Sequence, residues 1–264
     1  MNYRHITSHC FISIPFARLR QDLDFVLAQG IQPEIGLEGD TLYTCSAGEF
    51  REIAAALKEA GLRCTLHAPF FDLAPGALDQ YILGATREKL RRAFALIDIF
   101  QPLSVVCHLG FEENKQGFQE EAWFARALAT WQEMLAMAAG RRVVLALENT
   151  YETEPGRHEK MLAALDSPFA RFCLDVGHVM AFAKSTWQEW LPRLSPWLGQ
   201  LHLHDNHGSR DEHLAPGRGN FDFPGFFAYL RAENLSPIVT LEPHSEEDLR
   251  ESLAALDRMG IFRE

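Results

Sequence analysis

Along the chain, short apolar runs take turns with longer stretches whose apolar positions recur every three to four residues. The short runs read as strands and the longer ones as amphipathic helices. The strands fall at residues 11–15, 33–38, 62–67, 103–108, 142–148, 171–175, 200–204 and 237–242. Helices are expected at 16–29, 47–60, 77–100, 119–139, 157–165, 186–194, 223–232 and 246–259. Gly30, Gly61, Gly140 and Gly260 stand just past four of these helices as C-terminal stops, and Ser46 precedes one as an N-cap.

Eight strands, each followed by a helix or helical turn, in 264 residues match the length and rhythm of a single (β/α)8 TIM barrel, an α/β fold spanning residues 1–264. A doubly wound open sheet is the runner-up for the same alternation. No repeat, low-complexity run or linker marks a second domain.

Six of the strands end in a residue able to bind a metal: His67, His108, Glu148, Asp175, His204 and Glu242. Side chains alternate across a strand. Counting back by two from these ends gives Thr65, Val106, Ser104, Ala146, Val144, Cys173, His202, Gln200 and Thr240, while the opposite face carries residues such as Leu66, Val105, Leu147, Phe172, Leu203 and Leu241. The apolar face suits packing against outer helices, and the smaller, more polar face suits a barrel interior. The six ends therefore point inward at the C-terminal mouth, where barrel enzymes carry their chemistry. Charges crowded there repel one another or remain desolvated unless a cation neutralises them.

The segment LHLHDNHGSRDEHLAPGRG at residues 201–219 concentrates this chemistry, with four His and two Asp at the end of an apolar alternation. Converging imidazoles and carboxylates are the donor set of a divalent metal, with Zn, Mn and Co equally served.

Composition narrows the picture. Hydrophobic residues make up 47% and charged residues 23%, and no apolar run approaches the ~20 residues that span a bilayer, so no membrane association is expected. The N-terminal residues lack the basic, apolar and small-residue order of an export signal, which makes a cytoplasmic location the expectation. Five dispersed cysteines in apolar runs read as buried thiols, not a disulfide framework. A net charge of −11 disfavours nonspecific attraction to nucleic acid, although bound cations would reverse the local sign.

The strand ends LHAPF (66–70), CHLG (107–110), LENT (147–150), CLDVGH (173–178), HLHDN (202–206), DEHLAPGRG (211–219) and LEP (241–243) resemble the xylose isomerase-like TIM barrel superfamily. That superfamily contains sugar and sugar-phosphate isomerases and epimerases together with abasic-site nucleases of the endonuclease IV type. The isomerase branch implies one divalent metal on Glu148, Asp175, His204 and Glu242. Glu148 and Glu242 would be the catalytic acid/base pair shuttling a proton through an enediolate, with His67, His108, His178 and Arg210 towards a small-molecule sugar or sugar phosphate. The endonuclease branch implies up to three zinc ions: one on His67, His108 and Glu148, one on the four core residues, and one on His178, Asp211 and His213. All nine positions carry the right residue type. Nucleic acid would be the partner only in that branch, which also needs basic and apolar loops, and Arg210 and Arg218 are the main basic residues available. Barrels of this type often pair, which makes a homodimer the oligomeric expectation, with no sequence stripe to mark its interface.

His202 lies one layer below the site and is expected to orient His204 or fill the barrel. His207 suits solvent as well as substrate, and no convergent partner is visible for His5, His9, His158 or His244. The five tryptophans are expected to pack against the barrel or a partner. Phe70 and Phe71 suit either an apolar wall against a sugar or a loop core. A barrel that binds metal or sugar without turnover is the non-enzymatic alternative, disfavoured because both acid/base carboxylates are intact.

Overall fold

In the computed structural model, which describes residues 3–262, eight parallel strands close into a barrel in sequence order. They are β1 (Phe11–Pro15), β2 (Gln32–Gly36), β3 (Thr65–His67), β4 (Ser104–His108), β5 (Val144–Glu148), β6 (Ala170–Asp175), β7 (Leu198–Leu203) and β8 (Ile238–Leu241). Every expected strand is present, and β3 is the most shortened relative to the sequence reading. The doubly wound alternative is excluded by the pairing of β1 with β8.

The two faces of the strands separate as the alternation requires. Leu66, Val105, Leu147, Phe172, Leu203 and Leu241 lie in the main apolar core between barrel and helices, whereas Val106, Ala146 and Cys173 form a small separate cluster inside the barrel with Val144 against it. Trp123, Trp131 and Trp190 are fully buried in the outer core. Four of the five cysteines are buried and none is bridged.

Local chemistry sets the helix boundaries. Ser46 and Glu49 form a reciprocal capping box at the start of Ala47–Glu59. The helix expected over 16–29 is broken at Asp22, whose backbone has left the helical region. The side chains of Asp residues compete with helical hydrogen bonding. The one expected over 77–100 begins only at Gln80, because Asp79 caps the amides of Tyr81 and Ile82, and it divides into Gln80–Ala95 and Ile97–Phe100.

One helix near the site lies outside the sequence expectation. Val176–Phe182 starts directly from the end of β6, and the Asp175 carboxylate caps it by accepting the His178 amide at 2.6 Å. This cap holds Asp175 and His178 on the same turn. Among the described residues, no helix is long and apolar enough to cross a membrane.

Candidate metal centre and active site

Parallel register brings the strand ends to one level: His108 lies beside Glu148, and Asp175 beside His202. The resulting bowl contains all nine residues that the sequence marks as ligands. Glu148 Oε2 lies 3.1 Å from His67 Nε2 and 3.4 Å from His108 Nε2. Glu148 Oε1 lies 3.3 Å from His178 Nδ1. His204 Nε2 is 3.0 Å from Asp175 Oδ1 and 3.6 Å from Glu242 Oε2. Asp211 Oδ2 is 2.9 Å from His213 Nε2 and 3.3 Å from His178 Nε2.

His202 is more central than its place in the sequence suggests. Its Nδ1 faces three carboxylates at once: Glu242 Oε1 at 3.1 Å, Glu148 Oε1 at 3.3 Å and Asp175 Oδ2 at 3.9 Å. Donor atoms ~2.1 Å from one tetrahedral ion stand ~3.4 Å apart, so these separations are those of a shared coordination shell. On its other side, His202 Nε2 is paired with Glu34 Oε1 at 2.9 Å. Glu34, fully buried inside the barrel, also accepts from Thr65 Oγ1 at 2.8 Å and Thr240 Oγ1 at 3.2 Å. Sequence reading passes over Glu34 because it lies in mid-strand, not at a strand end. Its signal is a carboxylate set between Pro33 and Ile35 near the start of the strand run.

Three of the remaining imidazoles are held by one nitrogen and turned to the bowl with the other. His67 Nδ1 donates to the Ala68 carbonyl at 2.9 Å, His178 Nδ1 to the Asn149 carbonyl at 2.9 Å, and His213 Nδ1 to the Glu242 carbonyl at 3.2 Å. This is the outer-shell pattern of metal-binding histidines, in which the anchored N–H fixes ring orientation and leaves the other nitrogen for the ion. Buried polar atoms left without a hydrogen bond include His202 Nδ1, His204 Nδ1 and Asp211 Oδ1. Leaving such groups unpaired is costly, and all three face the positions where a cation would satisfy them. The donor set therefore fits divalent metal.

The electrostatics agree. Burial raises the pKa of Glu148, but His202, His108 and His178 outweigh it and hold the carboxyl well below its usual range. Glu242 is held down in the same way by His202 and His204 against burial. Burial opposes a proton on His202, yet Cys173, Glu242, Glu34 and Glu148 push its pKa well above the ordinary value. Burial likewise opposes a proton on His67 and His213, and the facing carboxylates raise both to about 9. Without a cation, protons on the imidazoles balance the carboxylates.

The lip of the bowl is organised by Asp205. This buried carboxylate accepts four main-chain amides: Asn206 and Phe221 on Oδ1, and Gly217 and Gly219 on Oδ2. A two-residue antiparallel pairing of Asp205 with Leu214 folds the loop back and delivers Asp211 and His213 to the site. A side chain at Gly219 would meet the Asn206 carbonyl at 2.2 Å, so glycine is required there.

Some expectations are corrected. The Arg210 side chain is 79% exposed, pairs with Glu212 at 3.3 Å and does not line the cavity, because the loop turns it to solvent. His207 is likewise outside, held by Glu212 at 2.8 Å. His244 does have a partner, stacking on His213 with ring centroids 4.2 Å apart. His158 is buried against Phe172 and Trp190, far from solvent. Above the bowl, a cavity of about 870 Å³ is walled by Phe70, Phe71, Tyr151 and Phe182. Phe70 stacks on His108 at 4.3 Å and Phe71 is 65% exposed, which favours the apolar wall over a closed loop core. Glu152, buried on the same side, accepts the amides of Phe111 at 2.9 Å and Thr150 at 2.8 Å, and burial raises its pKa.

A parallel (β/α)8 barrel with a histidine and carboxylate bowl at its C-terminal mouth defines the class of protein. The pattern of the xylose isomerase-like TIM barrel family matches residues 29–259, and the chain belongs to that family. Two uncharacterized proteins of Methanocaldococcus jannaschii are relatives. MJ1614 is 25% identical over 82% of this chain and 83% of its own length. MJ1311 is 24% identical over 69% of this chain, and the match spans 65% of that relative, just under two thirds of its length. Among solved structures, a D-tagatose 3-epimerase-like protein superposes with a TM-score of 0.82 at 20% identity, covering 94% of this chain and 96% of that one. The TTHB071 protein from Thermus thermophilus, soaked with ZnCl2, gives a TM-score of 0.80 at 23% identity, covering 95% and 97%. A 3-keto-D-glucoside 4-epimerase from E. coli gives 0.74 at 17% identity, covering 95% and 98%. These likenesses establish the fold.

Proposed function

We propose that this chain is a divalent-metal-dependent isomerase or epimerase of a sugar, a sugar phosphate or a related hydroxyketone. The observation that carries the reading is the meeting of Glu148, at the end of β5, and Glu242, one residue past β8, at His202 Nδ1 beneath an open cavity. Glu148, Asp175, His202 and Glu242 would hold the ion, with His202 taking the place that the family resemblance suggested for His204. Three carboxylates and one imidazole suit Zn, Mn and Co. When bound, the cation offsets the negative charge that builds on the substrate oxygens as the carbon–hydrogen bond breaks.

Both carboxylates are held ionised and are ready to accept a proton. One removes the proton beside the carbonyl and becomes a carboxylic acid; for isomerisation it hands that proton to the adjoining carbon, whereas for epimerisation the other carboxylate first takes a proton from solvent and delivers it to the opposite face of the same carbon. His67, His108 and His178 are placed to donate N–H groups to substrate oxygens, and Phe70 and Phe71 offer an apolar wall that excludes water from the reacting face. The epimerase names among the structural neighbours agree with this class of substrate.

The test is a sugar panel in heavy water with metal-loaded protein. Solvent deuterium should enter the carbon next to the carbonyl, and Glu148→Gln or Glu242→Gln should slow the exchange by ~10²–10⁴-fold. Absence of exchange across ketoses, aldoses and their phosphates, together with cleavage of a phosphodiester, would overturn the reading.

The second reading, a zinc-dependent phosphodiesterase acting on abasic DNA, is favoured by the grouping of His67 and His108 on Glu148 Oε2 and of His178 and His213 on Asp211. Against it, basic side chains on the loops near the mouth are already neutralised: Lys115 by Glu112 at 2.6 Å, Arg210 by Glu212 and Arg218 by Glu251 at 2.7 Å. Phosphate binding draws on unpaired basic groups. Incision of an abasic oligonucleotide tests it directly.

A further inference from the structure

We propose that the bowl takes an uncharged sugar that carries a flat apolar ring, with the sugar on the histidine and carboxylate floor and the ring held in a slot of aromatic side chains above it. This names the substrate class of the proposed isomerase or epimerase site and rests on that reading.

The slot is a continuous arc of rings lining the cavity. Phe71 packs on Phe70 with centroids 4.4 Å apart, and Phe70 stacks on His108 at 4.3 Å. His108 meets His178 at 6.1 Å on the floor of the bowl. The arc then rises through Phe182, 5.7 Å from His178, to Tyr151, 5.0 Å from Phe182. Its middle is covered and its ends are open: His178 is buried, whereas Phe71 is 65% and Tyr151 51% exposed.

Three separate segments supply these arms. Phe70 and Phe71 follow β3, Tyr151 follows β5, and Phe182 ends the Val176–Phe182 helix after β6. Rings recruited only to pack loops would be covered, and large apolar side chains left open beside a cavity mark a ligand groove.

Size and charge say what fills the groove. A cavity of about 870 Å³ stands near the top of the ~300–1,000 Å³ range that holds drug-sized ligands. A free hexose is much smaller and would leave both aromatic arms to water. Among the described residues, Lys115 is the only lysine or arginine lining the cavity, and Glu112 neutralises it at 2.6 Å. The exposed acids Glu38 and Asp72 line it as well. Both oxygens of Glu152 are engaged by main-chain amides. A phosphate or carboxylate on the substrate would therefore meet acids with no free basic side chain. A second sugar would need hydrogen-bond partners, and the arms offer only the Tyr151 hydroxyl. A flat apolar ring needs none and gains from face or edge contact with the aromatic arms.

The experiment titrates metal-loaded protein with phenyl glucoside, glucose, glucose phosphate and cellobiose, with binding read by calorimetry. Phenyl glucoside should bind at least ~10-fold tighter than glucose, as expected for an added apolar group that finds its pocket. Phe71→Ala and Tyr151→Ala should each cost phenyl glucoside about 3–10-fold, with a smaller loss for glucose. Tyr151→Phe should keep the wild-type affinity, because the ring and not the hydroxyl holds the ligand. Phe71 and Tyr151 are both exposed, and circular dichroism checks that the truncated proteins keep the fold.

Equal binding of phenyl glucoside and glucose, tighter binding of glucose phosphate or cellobiose, or an aryl preference that survives the loss of both rings would overturn the slot. The two readings fail separately. Ring-dependent binding of phenyl glucoside without deuterium exchange on any sugar keeps the slot and removes the isomerase reading, whereas exchange with no aryl preference removes the slot alone.

Discussion

Glu34 Oε1 lies 2.9 Å from His202 Nε2, in a fully buried pair beneath the bowl, and so turns His202 Nδ1 up towards Glu148 and Glu242. The carboxylate orients the ring and raises its basicity as a donor. Glu34→Gln keeps the volume but removes the charge. Its expected effect is a ~10–100-fold loss of affinity for the ion proposed on Glu148, Asp175, His202 and Glu242, measured by competition with a chromogenic chelator, with Thr65 and Thr240 still bonded to the amide. Unchanged affinity would assign Glu34 to barrel filling alone.

Glu148 and Glu242 are expected to matter more for turnover than for the fold. Glu148→Gln and Glu242→Gln should each lower kcat in the exchange reaction by ~10²–10⁴, with KM changing less. Chelation should abolish exchange in wild type and lower its Tm, and added metal should restore both, because an ion that binds only the native state stabilises it by mass action. A variant that keeps wild-type kcat would remove that residue from the acid/base pair.

His158 predicts a pH dependence of stability. Burial against Phe172 and Trp190 lowers its pKa to about 4, with the Glu148 main-chain carbonyl offsetting part of that effect. The unfolded chain binds this proton below about 6.5, and the folded chain only below about 4. Folding is therefore favoured above that window, and the contribution is lost as pH falls from about 6.5 to about 4, amounting to about 3 kcal/mol in all. Urea unfolding of His158→Phe should show a shallower loss between pH 6.5 and 4; equal slopes for the two proteins would contradict it.

The thiols should divide sharply. Burial pushes Cys10 and Cys64 up to about 12 and raises Cys107 and Cys173 as well, whereas Cys45 is only half-buried. Thiolate is the reactive form. A disulfide reagent at pH 8 should label one site in native protein, none in Cys45→Ser, and all five cysteines of the wild type after denaturation. Rapid labelling of a second native thiol would show that the barrel opens.

The sequence alone determined the fold class, the strand order and the inward phase of the ligands. Those depend on local periodicity: a two-residue alternation puts Thr65 and His67 on one face and Leu66 on the other, whatever the strand pairs with. Ser46 and the glycines after helices were legible for the same reason, since caps and stops act within one turn. The sequence also brought six donors to one mouth, because strand ends in a parallel barrel share an end, while His178, Asp211 and His213 were added by the family resemblance.

Tertiary structure decided which donors face each other. His202 and His204 have the same phase and the same chemistry, so only strand stagger and the partners above and below them separate the ring facing Glu148 and Glu242 from the ring facing Asp211. Glu34 was invisible as a partner because its contact with His202 crosses from β2 to β7 through the barrel interior. Arg210 illustrates the converse: the family resemblance placed it at the substrate, and the loop organised by Asp205 turned it to solvent. Periodicity acts along the chain, whereas a metal centre is built across it, from distances that exist only once the barrel has closed.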